Sequence, residues 1–411
     1  MGFLPTYLTQ AVTEIHETKP NYCNESRKAI FGMKILYICN NISLPGNGIC
    51  TSAQNFSAAL REAGVDVRVL AGENKDPDGI QPDYRLKRFH FPIFQPIIDA
   101  NGFSYAALDK KLIREAVEWA DIIHCEEPLF LQRSAMKMAE KMGKPIVGTF
   151  HMYTQNILSE IPLANFALMN KILIWAWKTR HYNHMSDIQC PTEVVKAHLE
   201  RNGFKARLHV ISNGINIPKE PVVAKPYQGG PFRIIVVGRF APIKRPGMLL
   251  EAMKYSKHAR EIQLIFAGTG VLEKKLRRRS DKLVKEGVLQ YMPEIVFLDK
   301  AGLKELAHNS YLVVHVASME VEGLGCAEAL REGTVPVIAQ DNKYIGTAGF
   351  ALDDRSLFPY DDTRELARKI DWWIEHPEER NRMAQVYADT ARNWSIGNST
   401  RKLIEMYEKV K

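Results

Sequence analysis

The sequence has no cysteine pair at C-x-x-C spacing and no cysteine–histidine cluster at metal-ligand spacing. Its six cysteines, Cys23, Cys39, Cys50, Cys125, Cys190 and Cys326, are scattered. That excludes a zinc module or a disulfide-stapled scaffold, and thiols inside apolar strands are ordinary in a reducing compartment. No run is long and apolar enough to span a bilayer. The first 32 residues lack the basic start and apolar stretch of a secretory signal. Residues 1–32 therefore read as an extension ahead of the fold, with an amphipathic helix expected around Leu8, Val12 and Ile15. The fingerprint G-x-G-x-x-G is missing, which argues against a nicotinamide or flavin enzyme. No acidic cluster suits a metal, and there is no short repeat or low-complexity tract.

What is present is ordinary globular chemistry: 411 residues, 45% hydrophobic and 25% charged, enough for two or three domains. The net charge of +8 and pI near 9.0 suit an acidic partner, whether a phosphorylated substrate, an anionic membrane or a nucleic acid. The basic run Lys274 to Lys285 has no interleaved aromatics. It reads as a solvated helix face, and no nucleic-acid partner is expected.

Short β-type runs alternate with helical patterns. Strands are expected at Lys34–Cys39, Val65–Ala71, Ile122–Cys125 and Pro145–Phe150, with helices at Thr51–Ala63, Leu112–Trp119 and Leu129–Met142. The stretch Ile217 to Gly230, with Pro218, Pro221, Pro226 and a Gly-Gly pair, reads as a linker. A second series follows at Arg233–Gly238, Gln263–Ala267, Ile295–Leu298, Leu312–Val316 and Pro336–Ala339. This pattern implies two α/β domains with parallel sheets and a cleft between them. Their sites are expected beyond the carboxyl ends of the strands.

The stretch Tyr311 to Ala339 is the most informative. A strand leads to Glu320 and Glu322, then to the turn Gly323-Leu324-Gly325. A helix near Cys326 carries Glu328, Gly333 caps it, and Pro336 opens the next strand. Free N–H groups at such a helix start favour an anion, whereas acids beside them suit hydroxyls. A pocket holding a diphosphate on backbone amides and sugars on carboxylates fits this pattern; two glutamates favouring a helix start is the plainer alternative.

Other stretches add to it. In NNISLPGNGICTSAQ, Gly46 and Gly48 sit between a strand and a helix, where amides can face an anion. His151 follows the strand IVGTF directly and suits a sugar hydroxyl or a developing charge, or a bond to local backbone. Residues 161–185 mix Trp175, Trp177 and Tyr182 with Lys171, Lys178 and Arg180, which suits a membrane interface or a buried helix. Arg239 and Lys244 lie just past the second domain's first strand, where fixed cations suit a diphosphate leaving group.

Taken in order, PGNGI, GTFH, CPTEVV…HVISNGIN, GRFAPIK, FAGTG and EVEGLGCAEALREGTVPVIA resemble the family 4 retaining glycosyltransferases of the GT-B fold, two Rossmann-like domains facing each other across a cleft. The resemblance spans nearly the whole chain from Met33. It implies an N-terminal acceptor domain (33–217) joined by a C-terminal helix (394–411), and a donor-binding domain (218–393). By that resemblance Arg239 and Lys244 hold the diphosphate, Glu328 the ribose, and Glu320 the donor sugar. Gly323, Leu324 and Gly325 supply amides, Gly48 lies near the diphosphate and His151 near the sugar. Phe297 to Asp299, with Leu298 central, lines the base. The catalytic set is then His151, Glu320, Arg239 and Lys244. No metal or other cofactor is expected, since the cations and helix N-terminus supply the charge. Glu322 stands where the family has an aromatic, so an added acid beside the sugar is expected to read a hydroxyl. The middle region resembles members that glycosylate diacylglycerol or ceramide. The implied activity is α-transfer of glucose or galactose from a UDP-sugar to a membrane lipid, by a peripheral protein at the cytoplasmic face. A soluble or polysaccharide acceptor, or a non-catalytic sugar-nucleotide binder, are the alternatives.

Overall fold

The computed structural model describes residues 32–411 apart from 45, 75, 77, 92–94, 96–103, 159–166 and 342. The expected helix around Leu8, Val12 and Ile15, and the start of the apolar stretch 161–185, lie outside the described residues.

Two parallel sheets account for most strands. The first is built from β1 (Lys34–Ile38), β2 (Asp66–Gly72) and β3 (Tyr84–Leu86). A short antiparallel ribbon, β4 (Arg88–Phe89) with β5 (Tyr105–Ala106), interrupts the series. It resumes with β6 (Ile122–Cys125), β7 (Ile146–Thr149), β8 (Asp187–Cys190) and β9 (Arg207–Val210), in the order β3-β2-β1-β6-β7-β8-β9. The second holds β10 (Phe232–Val237), β11 (Ile262–Ala267), β12 (Glu294–Val296), β13 (Leu312–His315), β14 (Val335–Gln340) and β15 (Leu357–Pro359), in the order β12-β11-β10-β13-β14-β15. β6 to β8 and β13 are buried at every position, as strands covered on both faces are, although β8 carries Asp187 and Gln189. Each sheet reverses its strand order once, between β1 and β6 in the first and between β10 and β13 in the second. Crevices open at the carboxyl ends of such strand pairs.

Helix starts follow capping chemistry. Asp109, Thr192, Asp299, Asp362 and Ser395 each accept a backbone N–H of the helix they precede, satisfying donors that the first turn leaves free.

The chain passes between the lobes twice, and the two passages are zipped together. Ile215 donates its N–H to the Trp394 carbonyl, and Ile396 donates to the Ile215 carbonyl, both at 2.8 Å. The helix Ile396–Glu408 then returns to the first lobe. Leu403, Ile404, Met406 and Tyr407 are buried there with Met33, Ile35, Tyr37 and Phe56. The stretch 217–230 carries no helix or strand, in line with its prolines.

The cysteines Cys39, Cys50, Cys125, Cys190 and Cys326 are buried free thiols. Burial pushes Cys50 up to about 12. Among the described residues, no helix is long and apolar enough to cross a membrane.

Candidate active site

Both reversal points carry titratable clusters at their strand ends. In the second lobe, β13 ends at His315, and the loop beyond it alternates its side chains. Met319 and Val321 are buried in the core of the first lobe. Glu320 turns the other way and pairs with Lys244 Nζ, while His315 Nε2 lies 3.4 Å from the same carboxylate oxygen. Burial alone would raise the Glu320 carboxyl, but Lys244 and His315 outweigh it and hold it well below the usual range. Sequence reasoning assigned Lys244 to phosphate and Glu320 to sugar; the structure joins them in one ion pair. His315, to which sequence reasoning assigned no role, completes the group. Its other ring nitrogen is buried without a hydrogen-bond partner.

The turn after this loop explains its glycines. Gly323 has φ +84, and a Cβ there would lie 2.5 Å from Thr347 Oγ1. Only glycine fits both constraints. The helix starts at Leu324, two residues ahead of Cys326, and runs to Arg331. A Cβ on Gly325 would sit 3.0 Å from Val237 of β10, so this turn packs directly on the first strand of its sheet. Glu328 and Gly325 line a cavity of about 300 Å³ together with Asn55, Asn216, Lys300 and Lys304. Burial raises the Glu328 carboxyl, and Arg331 and Lys300 partly offset that. The residues flanking Leu298 diverge: Phe297 is exposed and Leu298 packs against the core. Asp299 caps the helix Lys300–His308. Arg239 is half-buried just past β10.

Glu322 corrects the sequence reading. It does not stand free beside a sugar site. Its carboxylate is buried, accepts the Asn213 N–H at 2.9 Å and bonds the Ser212 hydroxyl. Burial pushes it up to about 7, against the opposing effect of those hydrogen bonds. It ties this loop of the second lobe to the passage between the lobes.

In the first lobe, the strand ends of β1 and β6 meet through two adjacent acids with opposite environments. Glu127 is claimed by Asn40, through its N–H at 2.7 Å and Nδ2 at 2.9 Å, and by Gln132 Nε2 at 2.9 Å. Burial raises it nonetheless. Glu126 bonds His151 Nε2 at 2.5 Å and lies 3.2 Å from His124 Nε2. Burial opposes its ionisation, but the two histidines bring it down to about 2. So His151 answers to a carboxylate, not to local backbone. The expected strand Ile122–Cys125 leads directly into these two acids, to which sequence reasoning assigns no role.

The loop Asn40–Gly48 also differs from expectation. Asn47 caps the helix Gly48–Glu62, its side chain accepting the N–H groups of Ile49 and Cys50 at 3.0 and 3.3 Å. Those amides are already used, so an anion-facing role narrows to Gly46 and Gly48, where an added Cβ would meet nothing within 4 Å.

The helix Ala167–Arg180 is split by face. Trp177 is buried in the first lobe's core and so is Tyr182, while Lys178 donates to the Asn202 carbonyl. These residues serve packing. Leu168, Ile172 and Trp175, at i, i+4 and i+7, form an exposed apolar stripe, Trp175 being 57% exposed, with Lys171 and Arg180 exposed beside it. Phe130, 76% exposed, begins a neighbouring helix; His181 holds the preceding Leu129 carbonyl at 3.1 Å.

Two family models match, described as Glycosyltransferase Family 4 over residues 46–218 and Glycosyl transferases group 1 over residues 222–388. Among solved structures, Anabaena HepE in complex with UDP-glucose is 16% identical, with TM-score 0.65, covering 92% of this chain and 100% of that one. Sucrose-phosphate synthase from Thermosynechococcus elongatus is 15% identical, with TM-score 0.67, covering 92% and 98%. The catalytic domain of cholesterol-alpha-glucosyltransferase from Helicobacter pylori is 38% identical over 40% of this chain and 99% of that one, with TM-score 0.36. No curated protein sequence matches.

Proposed function

This chain belongs to the family 4 glycosyltransferases and has the GT-B fold; from that premise we propose that it moves a hexose, glucose or galactose, from a UDP-sugar to a membrane lipid with retention of configuration. The carrying observation is the placement of charged clusters at both strand-order reversals: Lys244 with Glu320 and His315 on one lobe, Glu126 with His151 on the other. Such edges are where α/β sheets bind ligands.

In this proposal Arg239, Lys244 and the N-terminus of the helix Leu324–Arg331 take up charge on the departing diphosphate. Lys244 leaves Glu320 for the phosphate, and Glu320 turns to a sugar hydroxyl. Glu328 in its cavity takes the ribose hydroxyls. The bond from the anomeric carbon to phosphate breaks on the face where the acceptor oxygen arrives, and the leaving phosphate oxygen accepts the acceptor's proton. No metal is assigned a part in these steps.

The lipid acceptor rests on the exposed stripe Leu168, Ile172 and Trp175 with Lys171 and Arg180 beside it. Apolar residues flanked by cations match an anionic bilayer surface, where the net charge of +8 also favours approach.

Nucleoside diphosphate release tests the activity across UDP- and GDP-sugars, with detergent-dispersed diacylglycerol, ceramide and sterol compared against soluble sugars. Release that depends on lipid supports the reading. Release with soluble sugars alone moves the acceptor to the aqueous phase, and nucleotide binding without release with any acceptor makes the protein a binder.

A further inference from the structure

A buried hydrogen-bond chain runs from the C-terminal helix to His151. The Tyr37 and Tyr407 hydroxyls are 3.1 Å apart, and Tyr407 Oη lies 2.6 Å from His124 Nδ1. His124 Nε2 lies 2.8 Å from Thr149 Oγ1 and 3.2 Å from Glu126 Oε1. Thr149 donates its own proton to Gln189 Oε1 at 3.0 Å, so its oxygen accepts from His124 Nε2–H. His124 Nδ1 meets the Tyr407 oxygen, whose own proton goes to the Tyr37 hydroxyl. The ring also stacks on Tyr37 at 4.4 Å. His124 is thereby fixed as a donor through Nε2, and the Glu126 carboxylate has one fixed neighbour. Its second oxygen meets His151 Nε2 at 2.5 Å.

We propose that Glu126 is a positioning residue for His151: it holds the imidazole's Nε2–H, so that Nδ1 is the nitrogen left to face the donor sugar. Tyr407 and His124 fix the carboxylate from behind. A third group that orients a histidine sets which nitrogen is available for chemistry. The inference rests on the reading of His151 as lying beside the donor sugar. It also gives the C-terminal helix a task beyond packing, since Tyr407 reaches the site from 283 positions away in sequence.

The test is nitrogen-15 NMR of the histidine rings in the full-length protein with UDP, the His151 signals being assigned from a His151→Asn spectrum. Wild-type protein is expected to carry the proton on Nε2 of His151. Glu126→Gln is expected to mix the two tautomers and to lower kcat about 100-fold, with the KM for donor and the UDP affinity changed less than about threefold. Tyr407→Phe is expected to relax the His124 ring and, through Glu126, to mix the His151 tautomers partly. A wild-type His151 protonated on Nδ1 overturns the proposal, and that result needs only the His151→Asn protein for assignment. So does a Glu126→Gln protein with unaltered ring signals and turnover. If no donor turns over, the transferase reading fails, while the ring spectrum still decides the Glu126–His151 relation.

Discussion

The Glu322 carboxylate accepts the backbone N–H of Asn213, 109 positions earlier, at 2.9 Å. A loop of the second lobe thus grips the strand-end segment through which the chain leaves the first. Thr192 adds a second tie, its hydroxyl donating to the Val321 carbonyl at 3.1 Å. Because Glu322 is buried, this grip is sensitive to protonation.

The ordinary Glu value of 4.5 rises to about 7 here, so the folded state retains the proton longer than the unfolded chain. The resulting stabilisation is complete below about 4.5 and is lost as pH climbs through about 7. It amounts to roughly 1–3 kcal/mol. Melting curves at pH 5, 6.5 and 8 are expected to fall with pH in wild type and less steeply in Glu322→Gln. Parallel slopes for the two proteins would discard the assignment.

Lys244→Met leaves Glu320 facing His315 without its main cation. Both partners keep some solvent contact, so the expected cost is about 1–3 kcal/mol rather than that of a fully buried pair. Adding Glu320→Gln is expected to restore part of it, a coupling of about 0.5–2 kcal/mol in a denaturation cycle. Strict additivity would show that the pair carries no energy. Both single variants are expected to lose about 100-fold or more in turnover.

Two glycines are expected to part company. At Gly48 the space is open, so Gly48→Ala is expected to change stability by less than about 1 kcal/mol while lowering donor-dependent turnover. At Gly323, with φ +84 and Thr347 at 2.5 Å, alanine is expected to cost about 1–3 kcal/mol. Thermal melts beside initial rates separate the two cases. A stable, fully active Gly48→Ala protein would remove Gly48 from the site.

The helix Ala167–Arg180 gives a paired prediction. Ile172→Ser with Trp175→Ser is expected to weaken sedimentation with anionic vesicles about tenfold or more and leave the melting temperature nearly unchanged. Trp177→Ala is expected to destabilise by about 3–5 kcal/mol, because that ring lies in the core. If the stripe variant binds vesicles as wild type does, the membrane face lies elsewhere.

The sequence by itself determined the two α/β units, the linker after Ile217 and the loop-and-helix that carries Glu320 and Glu328. Those features depend on local periodicity, on turn residues and on order along the chain, all of which are written in one dimension. It also marked Lys244 and His151 as polar groups just past strand ends. Only the tertiary structure decided who meets whom. It paired Lys244 with Glu320, set Glu126 against His151, sent Glu322 to Asn213 and turned Trp177 inward while leaving Trp175 outside. The physical reason is that a buried carboxylate takes the partner that three-dimensional packing brings within hydrogen-bond reach. Those partners lie 25, 76 and 109 positions apart, far beyond any spacing a helix or strand imposes.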